Sequence, residues 1–252
     1  MSSKRPLVLV DLDDTLFQTA RKMPEDTPRI PATVDGHGQP NGYMTPVQQA
    51  LINWLLASAD VVPVTARSVE AYRRVKLPFT HGAICSHGGV ILRADGTLDQ
   101  DWHGRMAEAL RTFQDRLPAL SEATLRIGAA LGFSLRGWVA AEHGVCHYVV
   151  TKHNESDDAV LSTVLAEVQA RGLLDGMHIH ANGNNLAFLP DGLAKRLAVR
   201  EWLRRDRELN GERPLLGFGD SITDLGFMDL CHMWATPARS QLAKAAEGLI
   251  HA

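Results

Sequence analysis

Four unbroken apolar runs punctuate this chain: Leu7 to Val10, Val61 to Val64, Gly82 to Cys85 and Leu215 to Phe218. Runs without alternation are expected of parallel strands whose two faces are both covered by helices. Between the first two, Val47, Ala50, Leu51, Trp54 and Leu55 recur at helical spacing, and Thr45-Pro46 supplies an N-cap and a first-turn proline. Strand, helix, strand in that order is a βαβ unit. The two ends of the chain are therefore predicted to form a doubly wound parallel-sheet α/β core.

The middle of the chain has a different rhythm. Met106, Ala109, Leu110, Phe113 and Leu117 predict one helix, and Leu161, Val164, Leu165 and Val168 a second. Gly137 to Ala141 and Val145 to Thr151 flank Glu142-His143-Gly144, a hairpin signal. Met177 to Ala181 and Asn185 to Leu189 flank Asn182-Gly183-Asn184, which is turn chemistry. Hairpins bring antiparallel strands, so residues 87–188 are predicted to be an inserted α+β domain within a core of residues 1–86 and 189–252. Gln18 to Met44, rich in proline and glycine and without period, is predicted to be a long loop.

Composition narrows the class. Hydrophobic residues make up 45% and charged residues 22% of 252, an ordinary globular balance that excludes intrinsic disorder. A net charge of −3 with no polybasic block gives no reason to expect a nucleic-acid partner or an anionic membrane surface. No apolar window approaches the ~18 residues of a membrane span. Cys85, Cys146 and Cys231 are scattered and odd in number, as expected in a reducing compartment. A cytoplasmic location is the expectation.

The candidate chemistry lies where apolar runs end. Asp11-Leu12-Asp13-Asp14-Thr15 follows the first, and Gly219-Asp220-Ser221-Ile222-Thr223-Asp224 the last. In a parallel sheet the C-terminal strand ends line the ligand crevice. Carboxylates gathered there suit a hard cation and acid–base or nucleophilic work. Val64-Thr65-Ala66-Arg67 leaves the second run with a hydroxyl and backbone N–H groups that suit an anion, or that cap the following helix. Lys195 opens a helical pattern after Pro190-Asp191-Gly192.

In this order, the four segments resemble the haloacid-dehalogenase-like phosphohydrolase superfamily. Its signature is an Asp-x-Asp-x-Thr loop, a strand-end Thr or Ser, a Lys or Arg, and a Gly-Asp-x-x-x-Asp loop. The inserted module resembles the larger α/β cap of the branch that includes sucrose-phosphate and trehalose-phosphate phosphatases. Cys85-Ser86-His87-Gly88-Gly89 resembles that branch's Ser-Asn-Gly segment. This chain departs from the pattern with Asp14 where Gly is frequent, Thr223 where many relatives carry Asn, Arg196 where Gly is common, and His87 in place of Asn.

The resemblance implies an Mg²⁺-dependent phosphatase acting on a small phosphorylated metabolite, a sugar phosphate above all, through an aspartyl-phosphate. It implies Asp11 as nucleophile and Asp13 as acid–base. Mg²⁺ would be held by Asp11, Asp220 and the backbone carbonyl of Asp13, with Asp224 beside it or reached through water. Thr65 and Lys195 would neutralise the transferring group. Ala66, Arg67, His87, Gly88, Asn182 and Asn185 are further candidate substrate contacts. A phosphosugar mutase, or a binding module on the same fold, are the alternatives. His178 and His180 alternate on one strand and invite a metal pair, or simply line a polar face. The five tryptophans are expected in packing, with Trp138 also placed to stack on a sugar. Arg204-Arg205-Asp206-Arg207 is expected to be a solvated helix end.

Overall fold

The computed structural model describes residues 4–181 and 183–250. Its elements fall into two compact units, one running up to Asp99 and resuming at Lys195, the other spanning Gln100–Ala194. The first unit opens with β1 (Leu7–Val10), the hairpin β2 (Ile30–Val34) and β3 (Pro40–Met44), α1 (Pro46–Ser58), β4 (Asp60–Pro63), α2 (Val69–Arg73), and the hairpin β5 (Ala83–Cys85) and β6 (Val90–Leu92). The second unit holds α3 (Gln100–Ala109), α4 (Arg116–Ala130), β7 (Leu135–Glu142), β8 (Val145–His153), α5 (Asp158–Ala170), β9 (Met177–Ala181) and β10 (Leu186–Pro190). The chain returns to the first unit with α6 (Lys195–Asn210), β11 (Leu215–Phe218), α7 (Leu225–Met228), β12 (Met233–Ala235) and α8 (Gln241–Ile250).

The core sheet is parallel in the order β12-β11-β1-β4, and a parallel bridge between Val64 and Ile84 brings β5 beside β4. From β1 the chain steps outward to β4 and β5, then returns to build β11 and β12 on the other side. The order therefore reverses at β1 and β11, the switch point where open α/β sheets hold ligands. All four residues of β1 are buried, as its unbroken apolar run requires.

Several expectations are corrected. The 18–44 segment is not a loop: β2 and β3 form a hairpin whose Ala32 and Met44 pack in one cluster with Val8, Phe17, Ile52 and Leu55. Its turn is organised by Asp35, whose carboxylate accepts the N–H groups of His37 and Gln39, a local device that no periodicity reports. Helix α1 forms behind a Thr45–Gln48 capping box but buries Ile52 and Leu55, leaving Val47, Leu51 and Trp54 exposed. Apolar residues lie on both its faces, so spacing alone could not choose between them. The helix expected through 106–117 is broken, with α3 ending at Ala109 and Leu117 belonging to α4. Pro118 lacks the N–H that a continuous helix would need, so it is confined to the first turn of a new one.

Among the tryptophans only Trp102 is fully buried, while Trp54, Trp138 and Trp234 are exposed. Arg205 is ion-paired with Asp99 and Glu201, and Asp206 with Arg213, so the middle of that cluster is structural, while Arg204 and Arg207 are exposed as expected of a helix end. The units part at Asp99 and Ala194 instead of 86 and 188. The reason is local: the β5–β6 hairpin packs its Ala83, Cys85, Val90 and Leu92 on Val69 of α2, and β10 runs on to Pro190.

The second unit is an antiparallel sheet in the order β7-β8-β10-β9. Leu117, Leu120 and Ile127 of α4 and Leu161, Val164 and Val168 of α5 pack in one cluster with Val149, Leu186 and Phe188 of that sheet. The β7–β8 turn is His143-Gly144 with both φ values positive (49° and 85°), the two-residue geometry that matches strand twist. No helix among the described residues is long and apolar enough to cross a membrane.

Candidate active site

Register places the acids. Val10 pairs with Phe218, and Asp11 donates its N–H to the Phe218 carbonyl at 2.8 Å. Asp11 and Asp220 therefore leave adjacent strands side by side at the reversal point. On the other flank, Val10 pairs with Pro63, so Thr65 leaves β4 beside the same loop.

Ligating oxygens of Asp11, Asp220 and Asp224 all lie within 4.8 Å of one another, and all three residues are buried. The Lys195 ammonium, at the start of α6, stands 2.7 Å from Asp11 Oδ1 and 2.7 Å from Asp224 Oδ1. Thr15 Oγ1 donates to Asp220 at 3.3 Å. The Ser221 N–H and hydroxyl donate to Asp224 Oδ2 at 3.0 and 2.7 Å, closing a capping box.

Burial pushes the Asp11 carboxyl well above the ordinary carboxylate range, against the opposing pull of Lys195. Burial and the neighbouring Asp224 charge push Asp220 up to about 6. Asp224 lies below its usual value: burial opposes ionisation, but the Lys195 charge and the Ser221 hydrogen bonds outweigh it. Burial would lower Lys195, and the charges of Asp11 and Asp224 overcome it and raise it.

This donor set fits a divalent cation. Three buried carboxylates face a single ammonium, which leaves two negative charges in excess, and oxygen-only ligands suit Mg²⁺. The packing is also shaped for the acids: a Cβ on Gly219 would stand 2.6 Å from the Asp224 Cβ and 2.6 Å from Met228 Sδ. Gly219→Ala is expected to cost about 1–3 kcal/mol through overpacking, and to weaken Mg²⁺ binding by displacing Asp224. Thermal unfolding with and without Mg²⁺ would show both effects.

A linkage argument gives a second expectation. The raised carboxyls hold protons more tightly folded than unfolded, so the chain in EDTA should lose stability as pH rises from about 4 through about 6, the folded value of Asp220. Millimolar Mg²⁺ should abolish that loss. Melting curves across this pH range, in EDTA and in Mg²⁺, test it.

The Asp13 side chain is not part of the three-carboxylate group. It is half exposed and held by Arg67 in a two-pronged ion pair, Nε to Oδ2 at 2.6 Å and Nη2 to Oδ1 at 2.7 Å. The Arg67 guanidinium also lies 5.1 Å from the Phe17 ring centre. Thr65 is buried, but it is not the cap of α2, which is Ser68. Thr65 Oγ1 instead accepts the Arg67 N–H at 3.1 Å and shapes the strand-end turn.

Ser86 and His87 donate their N–H groups to the Arg67 and Thr65 carbonyls at 2.7 and 3.1 Å, which ties segment 86–88 to that turn. His87, at φ 56°, and Asp14, at φ 62°, occupy the left-handed region that Asn and Gly favour. This explains why those residues are frequent there in the resembled pattern. Gly88 is buried at φ 98°, and Ala66 is partly buried.

In the second unit, the Asn185 N–H bonds to Gly183. Asn184 clamps both backbone groups of His153 at 2.8 Å, so it serves the hairpin. Asn182 lies outside the described residues. His178 lies 3.5 Å from Asp191, and among the described residues no close group of three or more metal-ligating side chains includes His178 or His180. Sequence reasoning left Ser221 and the Arg67–Asp13 clamp unassigned. The Ser-x-x-Asp spacing of the first was a capping signal, whereas nothing local signalled the second.

The chain shares its fold, a doubly wound core with carboxylates at its switch point and an inserted α+β unit, with solved phosphatase structures. Among solved structures, the chain is similar to the sucrose-phosphatase of Synechocystis in complex with sucrose and phosphate, at 16% identity and TM-score 0.55, covering 98% of each chain. It is similar to a trehalose-6-phosphate phosphatase related protein at 19% identity and TM-score 0.51, covering 97% of this chain and 98% of the other. The IMP-bound IMP-nucleotidase of Plasmodium falciparum matches at 15% identity and TM-score 0.51, covering 98% of this chain and 68% of that one. No protein-family profile and no curated protein sequence matches.

Proposed function

We propose that this protein is an Mg²⁺-dependent phosphatase that hydrolyses a small phosphorylated metabolite, a sugar phosphate by preference, through an aspartyl-phosphate on Asp11. The observation that carries this reading is the buried Asp11–Asp220–Asp224 group against Lys195, with a second aspartate two residues beyond the first. The sugar assignment draws support from similarity to a fold seen with sucrose and phosphate.

When bound by Asp11, the Asp13 carbonyl, Asp220 and Asp224, Mg²⁺ supplies charge neutralisation for the phosphoryl oxygens. An Asp11 oxygen attacks phosphorus as the ester P–O bond breaks, and Asp13 gives its proton to the departing alkoxide. Asp13 then takes a proton from water, whose oxygen attacks the same phosphorus, releasing inorganic phosphate and restoring the Asp11 carboxylate. Lys195 and Thr65 offset charge on the transferring group, and Lys195 opposes the burial that favours the protonated Asp11, a pull to which the bound cation would add. Asp13 is clamped by Arg67, so proton donation requires that clamp to open, which frees the guanidinium to meet the substrate's oxygens.

A panel of phosphorylated sugars, nucleoside monophosphates and an aryl phosphate, assayed for released phosphate with Mg²⁺ and with EDTA, tests this. Mg²⁺-dependent release that is fastest on a sugar phosphate is the expected result. Absence of release from every ester with Mg²⁺, Mn²⁺ and Co²⁺ would remove the proposal.

A further inference from the structure

The inserted unit carries three histidines, far along the chain from the acidic loops, whose surroundings the acidic site does not explain. His103 of α3 and His143 of the β7–β8 turn stand with ring centres 6.0 Å apart, edge to face. His147 of β8 is fully buried, close enough to both that their charges act on it, and neither of its ring nitrogens has a hydrogen-bond partner. The Nδ1 of His103 is likewise buried and unpartnered. Three orphaned ring nitrogens on two histidines, in a unit where the His103 and His143 rings already meet edge to face, are an anomaly, because buried polar atoms are almost always satisfied and each exception calls for a cause such as an ion.

We propose that His103, His143 and His147 form a metal site for a divalent ion of the zinc type, with water completing the shell. Imidazole nitrogens suit Zn²⁺, Co²⁺ and Ni²⁺ and do not suit Mg²⁺, so the site is chemically distinct from the acidic one. Burial pushes His147 down to about 4, so the ring is neutral and keeps a lone pair for a metal throughout the physiological range. With Zn–N at ~2.0–2.1 Å, two ligating rings stand roughly 5–6 Å apart, which is the separation of His103 and His143. The ligating atoms of all three do not yet lie within 4.8 Å of one another. Binding therefore requires the rings to draw together; His143, in a two-residue turn, is the most exposed of the three, and His147 is buried in the sheet.

The test uses the full chain after EDTA dialysis, titrated calorimetrically with Zn²⁺ in excess Mg²⁺ so that the acidic group is occupied. Cobalt absorption reports the ligand field in parallel. One zinc per chain and a visible cobalt spectrum of tetrahedral intensity are expected. His143→Asn keeps a residue that tolerates positive φ, and His103→Gln keeps a polar helix residue. Each should weaken zinc binding by at least the ~10–100-fold that even an outer-shell loss costs. His178→Ala, remote in the contact pattern, should leave binding unchanged. Failure of the wild type to bind zinc or cobalt under these conditions would overturn the proposal. So would zinc affinity that is unaltered in both variants, or lost equally in His178→Ala.

Discussion

Asp11→Asn is expected to reduce Mg²⁺-dependent phosphate release by about 10⁴-fold or more, the scale on which removal of a covalent nucleophile acts. The substitution is close to isosteric, and its amide can neither attack phosphorus nor offer Mg²⁺ an anionic ligand. Asp11 is buried and its carboxyl is pushed well above the usual range by that burial, so replacing the acid with a neutral group should not unfold the chain. In EDTA the variant should melt at or above the wild-type temperature, because one buried carboxylate has been removed from a group with too many. Loss of turnover together with retained stability separates chemistry from folding. Retention of most activity would reassign the nucleophile.

Lys195→Met is expected to show the opposite balance, with a large effect on stability as well as on rate. Lys195 is the ammonium that bridges Asp11 and Asp224 at 2.7 Å each, and its side chain is only 10% exposed. Removing it leaves three buried carboxylates without that partner. Breaking a buried ion pair on one side costs about 3–5 kcal/mol, or very roughly 6–20 °C for a chain of this length.

The carboxyls would respond by holding protons more tightly. The deficit in EDTA should therefore widen as pH rises from about 6 to 8, since the folded state then retains protons that the unfolded state releases. Mg²⁺ should recover much of the loss by supplying positive charge to the same oxygens. The rate should remain down by about 10²–10³-fold, as for other single electrostatic groups in a reaction centre. Calorimetry at two pH values, with and without Mg²⁺, reads the first effect, and phosphate release reads the second. A variant as stable as wild type in EDTA at pH 8 would show that Lys195 does not compensate these acids.

The site was legible in the chain to the extent that its chemistry sits in contiguous motifs at strand ends. Asp11 and Asp220 could be paired in advance because both follow buried apolar runs, and parallel strands deliver their ends to one rim. Lys195 is a different case. Alone it reads as a surface lysine opening a helix, and only the four-segment pattern nominated it. Its position between two carboxylates belongs to the tertiary structure. The Arg67–Asp13 clamp was invisible because it joins residues 54 positions apart and has no periodic or capping signature. The hairpin at 30–44 escaped for a related reason. Its turn depends on one Asp35 side chain, and its burial on packing with Phe17 and Ile52 from outside the hairpin.

Alone, the amino-acid order determined the strands of the parallel core and both hairpins of the inserted unit, and that acids terminate two of the strands. Burial on both faces demands unbroken apolar runs, hairpin turns demand residues tolerant of positive φ, and both demands are local. Which face of α1 is buried, which strands lie side by side, how three carboxylates come together with one ammonium between two of them, and how the His103 and His143 rings meet were decided only by the folded chain. These depend on contacts between residues tens to hundreds of positions apart. Their energies are set by distance and desolvation in space, quantities that separation along the chain does not encode.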